Sequence, residues 1–381
     1  MLLRKKSSGV TNEIRIRRCY GCGAILQDKN PKVTGYIPAL KLKGDEEQLC
    51  ERCYKLRHYN EIDDVPHFNS DYESILKEAV QTQALIVYVL DIFSLEASLI
   101  HGIGTLLGTK LLVILNKRDI LPKSLTDEKI IADCKARLKS ENIFPSDVIV
   151  TSSHKNYNID SLLKTIETLR KGKDVYFIGA SQVGKSSLVN SILKSYKNET
   201  DKLITTSHFP GTTLDVIQIP LDKNSDMYDT PGIFNPESLL NQVERQILKY
   251  VIPRTEIRPM VYQSNARQSY ILGAIARVDF AEGPKTNFTF YLSNDVAITR
   301  TKLEKADTTF DSLCLTKQVQ PASLTVKSLK DLERHDFVLP ASGQVELLIV
   351  GLGYANFEAK EQKITVYAPK NVAVKIMNHR W

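Results

Sequence analysis

Residues 179–186 read Gly-Ala-Ser-Gln-Val-Gly-Lys-Ser and fit the pattern G-x4-G-K-[S/T]. Residues 174–178, directly before them, are predicted to form a short buried strand. After them, apolar residues recur at helical spacing, at Leu188, Val189, Ile192 and Leu193. A glycine-rich loop between a strand and a helix lets backbone N–H groups wrap around phosphate groups. The stretch therefore predicts a phosphate-binding loop in an α/β fold.

Two side chains at the end of this loop have separate expected roles. Lys185 would neutralise the β- and γ-phosphate oxygens, and Ser186 would place its hydroxyl on Mg²⁺. The loop residues expected to contact the nucleotide are Gly179, Gln182, Val183, Gly184, Lys185, Ser186 and Ser187.

A second motif, Asn116-Lys-Arg-Asp119, has the form N-K-x-D and follows an apolar strand predicted at 111–115. An aspartate at this position accepts hydrogen bonds from N1 and the exocyclic amine of guanine, and adenine offers no such donor pair. Lys117 is expected to pack over the base, and Asn116 to tie this loop to the phosphate loop. The motif predicts binding of GTP and GDP, and Asp119 disfavours an ATP-using enzyme.

The residues Thr151, Ser152 and Ser153 follow another apolar stretch and are expected to place a backbone N–H on guanine O6. This match is imperfect, because alanine usually stands where Ser152 does.

Two shorter motifs come after the phosphate loop. Asp229-Thr-Pro-Gly232 has the form D-x-x-G, in which Asp229 would hold magnesium through water and the Gly232 N–H would sense the γ-phosphate. Residues 210–213, Pro-Gly-Thr-Thr, offer a threonine to the metal, with Thr213 preferred and Thr212 as the alternative. The sequence thus predicts Ser186, Thr213 and Asp229 as magnesium ligands, and Lys185, Thr213 and Gly232 as catalytic groups.

The order of these motifs along the chain is unusual. The base motif and the O6 loop come first, then the phosphate loop, switch I at 212–213 and switch II at 229–232. The parts can still meet in space if a domain is cut and rejoined at exposed termini that lie close together. The order resembles that of the circularly permuted GTPases.

Four of the six cysteines form two C-x2-C pairs, Cys19 with Cys22 and Cys50 with Cys53. Two such pairs complete a tetrahedral S4 site, which predicts a structural zinc with no open position for catalysis. Disulfides are the alternative. Metal binding would supply the folding free energy of so small a module. The isolated residues Cys134 and Cys314 are interpreted as ordinary thiols.

Together with the run Cys-Glu-Arg-Cys-Tyr-Lys-Leu-Arg-His-Tyr-Asn at 50–60, these features resemble the YqeH family. The resemblance implies a treble-clef zinc finger, a circularly permuted P-loop GTPase domain, and a mainly β C-terminal domain that binds RNA or protein. It also implies a role in assembly of the small ribosomal subunit, with that subunit or its rRNA as partner. Asn is common in the family where Gln182 stands and can help hold potassium, so K⁺ dependence is left open.

The residue after switch II is Ile233, where Ras-like enzymes carry a glutamine that orients the attacking water. Isoleucine cannot hydrogen-bond, so we expect slow intrinsic hydrolysis that a partner, a cation or another residue assists. The alternative is an RNA-binding scaffold in which GTP acts as a conformational lock with little hydrolysis.

The chain is predicted to divide into a zinc module (1–60), the G domain (61–235), a connecting helix (236–252) and a C-terminal domain (253–381). Asn235 is a candidate N-cap and Pro236 a candidate first residue of the helix. One helix face would hold Leu239, Leu240, Val243, Ile247, Leu248 and Val251. Strands are predicted at 271–280, 287–292, 347–350 and 364–367. Arg254, Arg258, Arg267, Arg277, Arg300 and Lys302 are candidate phosphate contacts.

Composition narrows the functional class further. The net charge of +7 is concentrated at the two ends, with 13 Lys and Arg against 6 Asp and Glu in residues 1–60. Basic ends suggest contact with a polyanion, and an ordinary solvated surface is the alternative. The apolar runs are too short to span a membrane, and the basic N-terminus lacks the apolar core of a secretory signal. We expect a cytoplasmic protein, with a transit peptide as the weaker alternative.

Overall fold

The computed structural model of the chain describes residues 26–29, 35–39, 50–51, 70–196, 205–208 and 215–379. The predictions for Cys19, Cys22, Cys53, Thr212 and Thr213 therefore lie outside the described residues. Cys50 is described and is buried. Within the described ranges, no three His, Cys, Asp or Glu side chains are grouped as a metal site, so the zinc prediction gains no support there.

The nucleotide motifs lie on a seven-stranded sheet. Its strands are β1 (Leu85–Asp91), β2 (Leu111–Asn116), β3 (Asp147–Val150), β4 (Val175–Ile178), β5 (Thr205–His208), β6 (Asp215–Pro220) and β7 (Asp226–Asp229). Their order in the sheet is β3-β2-β1-β4-β7-β6-β5. The first five strands in this order are parallel to one another, and β6 runs antiparallel to both of its neighbours, β7 and β5. The strands β1, β2 and β4 are buried along their whole length, as expected for parallel strands covered on both faces.

In the part of the chain that the structure describes, this sheet is accompanied by the α-helices α1 (Ser70–Gln81), α2 (Leu95–Ser98), α3 (Asp127–Ser140), α4 (Ile159–Arg170) and α5 (Lys185–Tyr196). Their apolar residues join those of the strands in one core. Cys134 of α3 is 1% exposed in this core. Burial raises the pKa of its thiol to about 12, which agrees with an unreactive structural thiol.

The C-terminal region is built of two antiparallel five-stranded sheets. The first has the order β12-β9-β10-β16-β13 and the second β17-β14-β15-β11-β8. The strands are β8 (Met260–Ser264), β9 (Gln268–Leu272), β10 (Ala276–Glu282), β11 (Thr286–Leu292), β12 (Ile298–Lys302), β13 (Leu332–Val338), β14 (Gln344–Ile349), β15 (Gly353–Glu358), β16 (Lys363–Pro369) and β17 (Val374–Asn378). The expected β-rich C-terminal region is thus confirmed.

The strand predicted at 271–280 is wrong in one respect, because the structure divides it between β9 and β10. The division falls at Gly273, which has φ +57 and passes so close to Pro321 that a Cβ would lie 2.6 Å from the proline Cδ. A left-handed backbone at this point turns the chain and ends the strand.

The connecting segment also differs from the single helix predicted. It forms two short helices, α6 (Leu239–Gln242) and α7 (Arg245–Val251). The Ser238 side chain caps α6 by accepting from the Leu240 N–H, whereas Glu244, at the N-cap position of α7, makes no capping bond. The helix is interrupted where the Glu244 carboxylate accepts hydrogen bonds from the backbone N–H groups of Leu324 and Thr325, at 2.8 and 2.7 Å. The apolar residues predicted on one face are all buried, and they share a core with the two C-terminal sheets.

One of the six candidate phosphate contacts is placed differently from the prediction. Arg277 is 2% exposed and pairs with Asp279 and Asp307, both at 2.6 Å, so it is not available to phosphate. The other five are exposed: Arg254, Arg258, Arg267, Arg300 and Lys302. A further helix, α8 (Ala306–Thr316), lies in this region. Among the helices that the structure describes, none combines the length and apolar character needed to cross a bilayer.

Candidate nucleotide-binding site

The carboxyl ends of four parallel strands form the floor of the site. β1 ends at Asp91, β2 at Asn116, β4 just before Gly179, and β7 at Asp229. Parallel strands place their carboxyl ends at one edge of a sheet, which is where ligands bind in α/β folds. The strand order therefore brings together motifs that stand in permuted order along the chain.

Two glycines let the phosphate loop fit against its neighbours. Gly179 has φ +154, and a Cβ there would lie 2.5 Å from the Val89 carbonyl oxygen of β1. Gly184 has φ +86, and a Cβ there would lie 2.6 Å from Asn116 Nδ2. Neither position can carry a side chain without moving the loop, which explains why the pattern requires glycine at both ends.

The amide of Asn116 joins the base motif to both other loops. This side chain is fully buried. Its Nδ2 donates to the Val183 carbonyl at 3.1 Å, and its Oδ1 accepts from the Ser153 N–H at 3.2 Å. One side chain thus holds residues 116–119, 151–153 and 179–186 in a single cluster.

Asp119 lies against the O6 loop. Its Oδ1 accepts from the Ser152 hydroxyl at 2.5 Å, and its Oδ2 is 3.3 Å from His154 Nδ1. The Arg118 N–H donates to the Thr151 carbonyl at 2.9 Å, which fixes the two loops side by side. His154 was not anticipated from the sequence. Its exposed ring is a neighbour of the carboxylate that the sequence predicts to read the base.

Lys117 has a partner that the motifs did not reveal. Its ammonium is 2.5 Å from Asp91 Oδ2 and 2.8 Å from the Gln182 carbonyl. Asp91 is 3% exposed, and its Oδ1 accepts from the N–H groups of Phe93 and Ser94 at 3.0 and 3.2 Å. The sequence did offer one signal for this contact, because Asp91 is the single charged residue at the end of the apolar stretch Leu-Ile-Val-Tyr-Val-Leu-Asp.

The magnesium ligands predicted among the described residues lie together. Ser186 donates its hydroxyl to Asp229 Oδ2 at 2.9 Å. Lys185 contacts Asp229 Oδ1 and the Thr230 carbonyl, and both Lys185 and Asp229 are buried. A hydroxyl and a carboxylate at one point are the hard oxygen donors that Mg²⁺ prefers, so the residues present fit this ion.

Switch II packs directly on the phosphate loop. The Ile233 N–H donates to the Gly179 carbonyl, and the Ser181 N–H donates to the Ile233 carbonyl, both at 2.9 Å. A Cβ on Gly232 would lie 2.9 Å from Ser181 Cα. Ile233 itself is 4% exposed, with its side chain in the core of the seven-stranded sheet.

The segment after switch II is bonded to residues that directly follow β14 and directly precede β17 in the C-terminal region. The Leu239 N–H donates to the Val350 carbonyl, and the Ala373 N–H donates to the Glu237 carbonyl, both at 2.9 Å. Asn235 donates through Nδ2 to the Ala97 carbonyl of α2 at 3.0 Å. The residues that follow switch II therefore contact the G domain on one side and the C-terminal region on the other.

Comparison with known proteins identifies two families along the chain. Residues 80–239 match the family described as RsgA GTPase. Residues 285–379 match the family described as YqeH-like, C-terminal.

Individual relatives agree with these matches. The chain is 38% identical over 357 residues to the uncharacterized protein YqeH of Bacillus subtilis, covering 93% of this chain and 97% of that protein. It is 28% identical over 395 residues to NO-associated protein 1, chloroplastic/mitochondrial, of Arabidopsis thaliana, covering 89% and 69%. It is 36% identical over 146 residues to GTPase Der of Aquifex aeolicus, covering 35% and 30%. The first similarity runs through nearly the whole length of both proteins.

Proposed function

We infer the function from the family: this chain belongs to the YqeH family of circularly permuted GTPases. We propose that it binds GTP and hydrolyses it to GDP and phosphate. The observation that carries the proposal is the Asn116 amide, which bonds to both the phosphate loop and the O6 loop. A base-reading motif and a phosphate loop held by one side chain can bind opposite ends of one nucleotide.

In this proposal each loop has a defined task. Asp119 accepts the guanine N1 and amine protons, Lys117 covers the base, and an N–H of residues 151–153 meets O6. Lys185 and the N–H groups of the phosphate loop bind the phosphates. Ser186, Asp229 and Thr213 would hold Mg²⁺, which supplies neutralisation of the charge that develops on the phosphate oxygens. The Gly232 N–H would donate to the γ-phosphate.

We propose that hydrolysis by the isolated protein is slow. Ile233 stands where a water-orienting side chain is found in Ras-like enzymes, and its side chain is buried in the core. Positioning of the water would then come from a partner or from a cation near Gln182. The same observation favours the second candidate, an RNA-binding scaffold on which GTP acts as a conformational lock.

The contacts after switch II support a mechanical role for GTP. Release of the γ-phosphate would free Gly232, and residues 235–239 would carry that movement to the sheets that contact Leu239 and Glu237. The C-terminal region would thus change its position with the nucleotide state.

We propose the small (30S) ribosomal subunit or its rRNA as the partner. Support comes from the family, from the basic residues 1–60, and from the exposed Arg and Lys side chains of the C-terminal region. Site of action in the cytoplasm is part of the same proposal, and cell fractionation tests it.

The zinc module stays a proposal from cysteine spacing. Substituting Cys50→Ser should abolish zinc that co-purifies with the full chain, because an S4 site loses one of its four ligands. Cys314→Ser is the matched control, since that cysteine lies outside the two pairs. Equal zinc content in both variants would exclude the site.

One experiment separates the enzyme from the conformational lock. Phosphate release is measured with and without 30S subunits, and co-sedimentation with those subunits is measured in GTP, in GDP and without nucleotide. The enzyme proposal expects phosphate release that rises with subunits and co-sedimentation that depends on the nucleotide. Nucleotide-dependent co-sedimentation without phosphate release would support the lock, and binding that ignores the nucleotide would contradict both.

A further inference from the structure

Tyr72, on helix α1, lies at the junction of the phosphate loop and switch II. Its side chain is buried, and its hydroxyl is 2.5 Å from Thr230 Oγ1 and 3.1 Å from the Pro231 carbonyl oxygen. The backbone of Gly179, the first residue of the phosphate loop, also lies near this hydroxyl. The hydroxyl therefore bonds to the two middle residues of Asp-Thr-Pro-Gly and lies beside the start of the phosphate loop.

The direction of these hydrogen bonds follows from the number of protons. The Thr230 hydroxyl lies 2.8 Å from the Phe177 carbonyl, which can only accept, so the single threonine proton points there. Tyr72 must then donate to Thr230, and it shares its proton with the Pro231 carbonyl. Burial raises the pKa of Tyr72 well above its ordinary value, so the phenol stays protonated and can donate at every physiological pH.

The two residues that Tyr72 holds stand between two predicted functional groups. Asp229, a predicted magnesium ligand, precedes Thr230, and Gly232, the predicted γ-phosphate donor, follows Pro231. A hydrogen bond to the middle of this four-residue segment restricts both ends. The contact bridges 158 residues of sequence, and nothing in the motifs themselves indicates it.

We propose that Tyr72 is a positioning residue for the GTPase reaction, which holds switch II on the phosphate loop so that Asp229 and Gly232 meet the metal and the γ-phosphate. This inference rests on the proposed function.

The test uses the full chain with Tyr72→Phe and a matched control, Tyr88→Phe. Tyr88 is equally buried, on β1, and its hydroxyl donates to the Ser98 carbonyl at 3.0 Å and accepts from the Ile100 N–H at 3.1 Å. Both variants lose one buried hydroxyl, but only Tyr72 contacts switch II. Two quantities are measured, the Mg²⁺ dependence of affinity for a non-hydrolysable GTP analogue and the single-turnover rate of hydrolysis.

We expect Tyr72→Phe to raise the Mg²⁺ concentration for half-maximal analogue binding by about fivefold and to lower the single-turnover rate by about tenfold, the size of effect of losing one or two buried hydrogen bonds. Affinity for GDP without Mg²⁺ should stay within about twofold, because the base contacts are unchanged. Tyr88→Phe should lower the free energy of unfolding about as much as Tyr72→Phe does. It should leave the Mg²⁺ dependence of analogue binding as in the wild type.

The inference is overturned if Tyr72→Phe and Tyr88→Phe have the same Mg²⁺ dependence. Thr230→Val supplies a second test. It also removes the bond to the Phe177 carbonyl, but a shared Tyr72–Thr230 hydrogen bond makes the effect of the double variant smaller than the sum of the two single effects. Additive effects in that cycle would also overturn it. A wild-type chain that binds the analogue but releases no phosphate would contradict the proposed hydrolysis and leave the Mg²⁺ result to decide on Tyr72.

Discussion

Substituting Asp91→Asn tests the contact that holds Lys117, the lysine proposed to cover the base. The asparagine keeps the shape of the side chain, and its oxygen can still accept from the N–H groups of Phe93 and Ser94. The atom that faces the Lys117 ammonium becomes an NH2 group, so an acceptor 2.5 Å from a cation is replaced by a donor. Lys117 and Asp91 side chains are 16% and 4% exposed, so water compensates little for the loss.

The expected magnitude follows from the kind of bond that is lost. A hydrogen bond between charged partners contributes about 1.5–3 kcal/mol, and each 1.4 kcal/mol corresponds to a factor of about ten in an equilibrium constant. Affinity for GDP and GTP should therefore fall by about ten- to a hundredfold. Isothermal titration calorimetry with GDP measures this directly.

The control is Asp133→Asn on α3, which lies outside the nucleotide loops. It breaks the ion pair between Asp133 Oδ2 and Arg137 Nε, which are 3.2 Å apart. That change should lower the free energy of unfolding by at most about 1 kcal/mol and leave GDP affinity unchanged. If Asp91→Asn binds GDP within twofold of the wild type, Asp91 does not hold Lys117 over the base.

Two further predictions concern stability and reactivity. Arg277→Met should lower the free energy of unfolding by about 3–5 kcal/mol, because it leaves the buried carboxylate of Asp279 without its cation. A denaturant titration measures this, and a loss below about 1 kcal/mol would refute the buried pair. Burial raises the pKa of the Cys134 thiol to about 12, so the neutral thiol contributes fully to the free energy of unfolding below the unfolded pKa near 9. That contribution is lost as the pH rises toward 12. At pH 8 iodoacetamide should label Cys134 only after unfolding, as read by mass spectrometry, and rapid labelling of the native chain would contradict its burial.

The local parts of the site could be predicted from sequence, because their signals lie within a few residues. The phosphate loop at 179–186 and the base motif at 116–119 each combine a strand, a turn and a fixed side-chain pattern, and the structure places them at one edge of a sheet. The permuted order was no obstacle, since parallel strands bring their carboxyl ends together whatever the order of the strands in the chain.

What escaped prediction depends on residues far apart in the chain. Asp91 and Tyr72 have no motif of their own, and their roles arise only from contacts with Lys117 and Thr230. The single connecting helix was wrong because the carboxylate of Glu244 is bonded to a loop 80 residues away, which a helical repeat cannot reveal. The same holds for Arg277, whose partner Asp307 is 30 residues further on.

The substitution Asp119→Asn tests directly whether the base motif at 116–119 and the phosphate loop at 179–186 bind one guanine nucleotide. We expect GDP affinity to fall by about a hundredfold or more. One acceptor becomes a donor that faces the guanine amine, which costs a charge-assisted bond of about 1.5–3 kcal/mol, and the remaining bond loses its charged acceptor. Affinity for xanthosine diphosphate should rise, because the new amide can donate to the oxygen at C2 of xanthine. A variant that still folds and ranks GDP, XDP and ADP as the wild type does would show that Asp119 does not read the base.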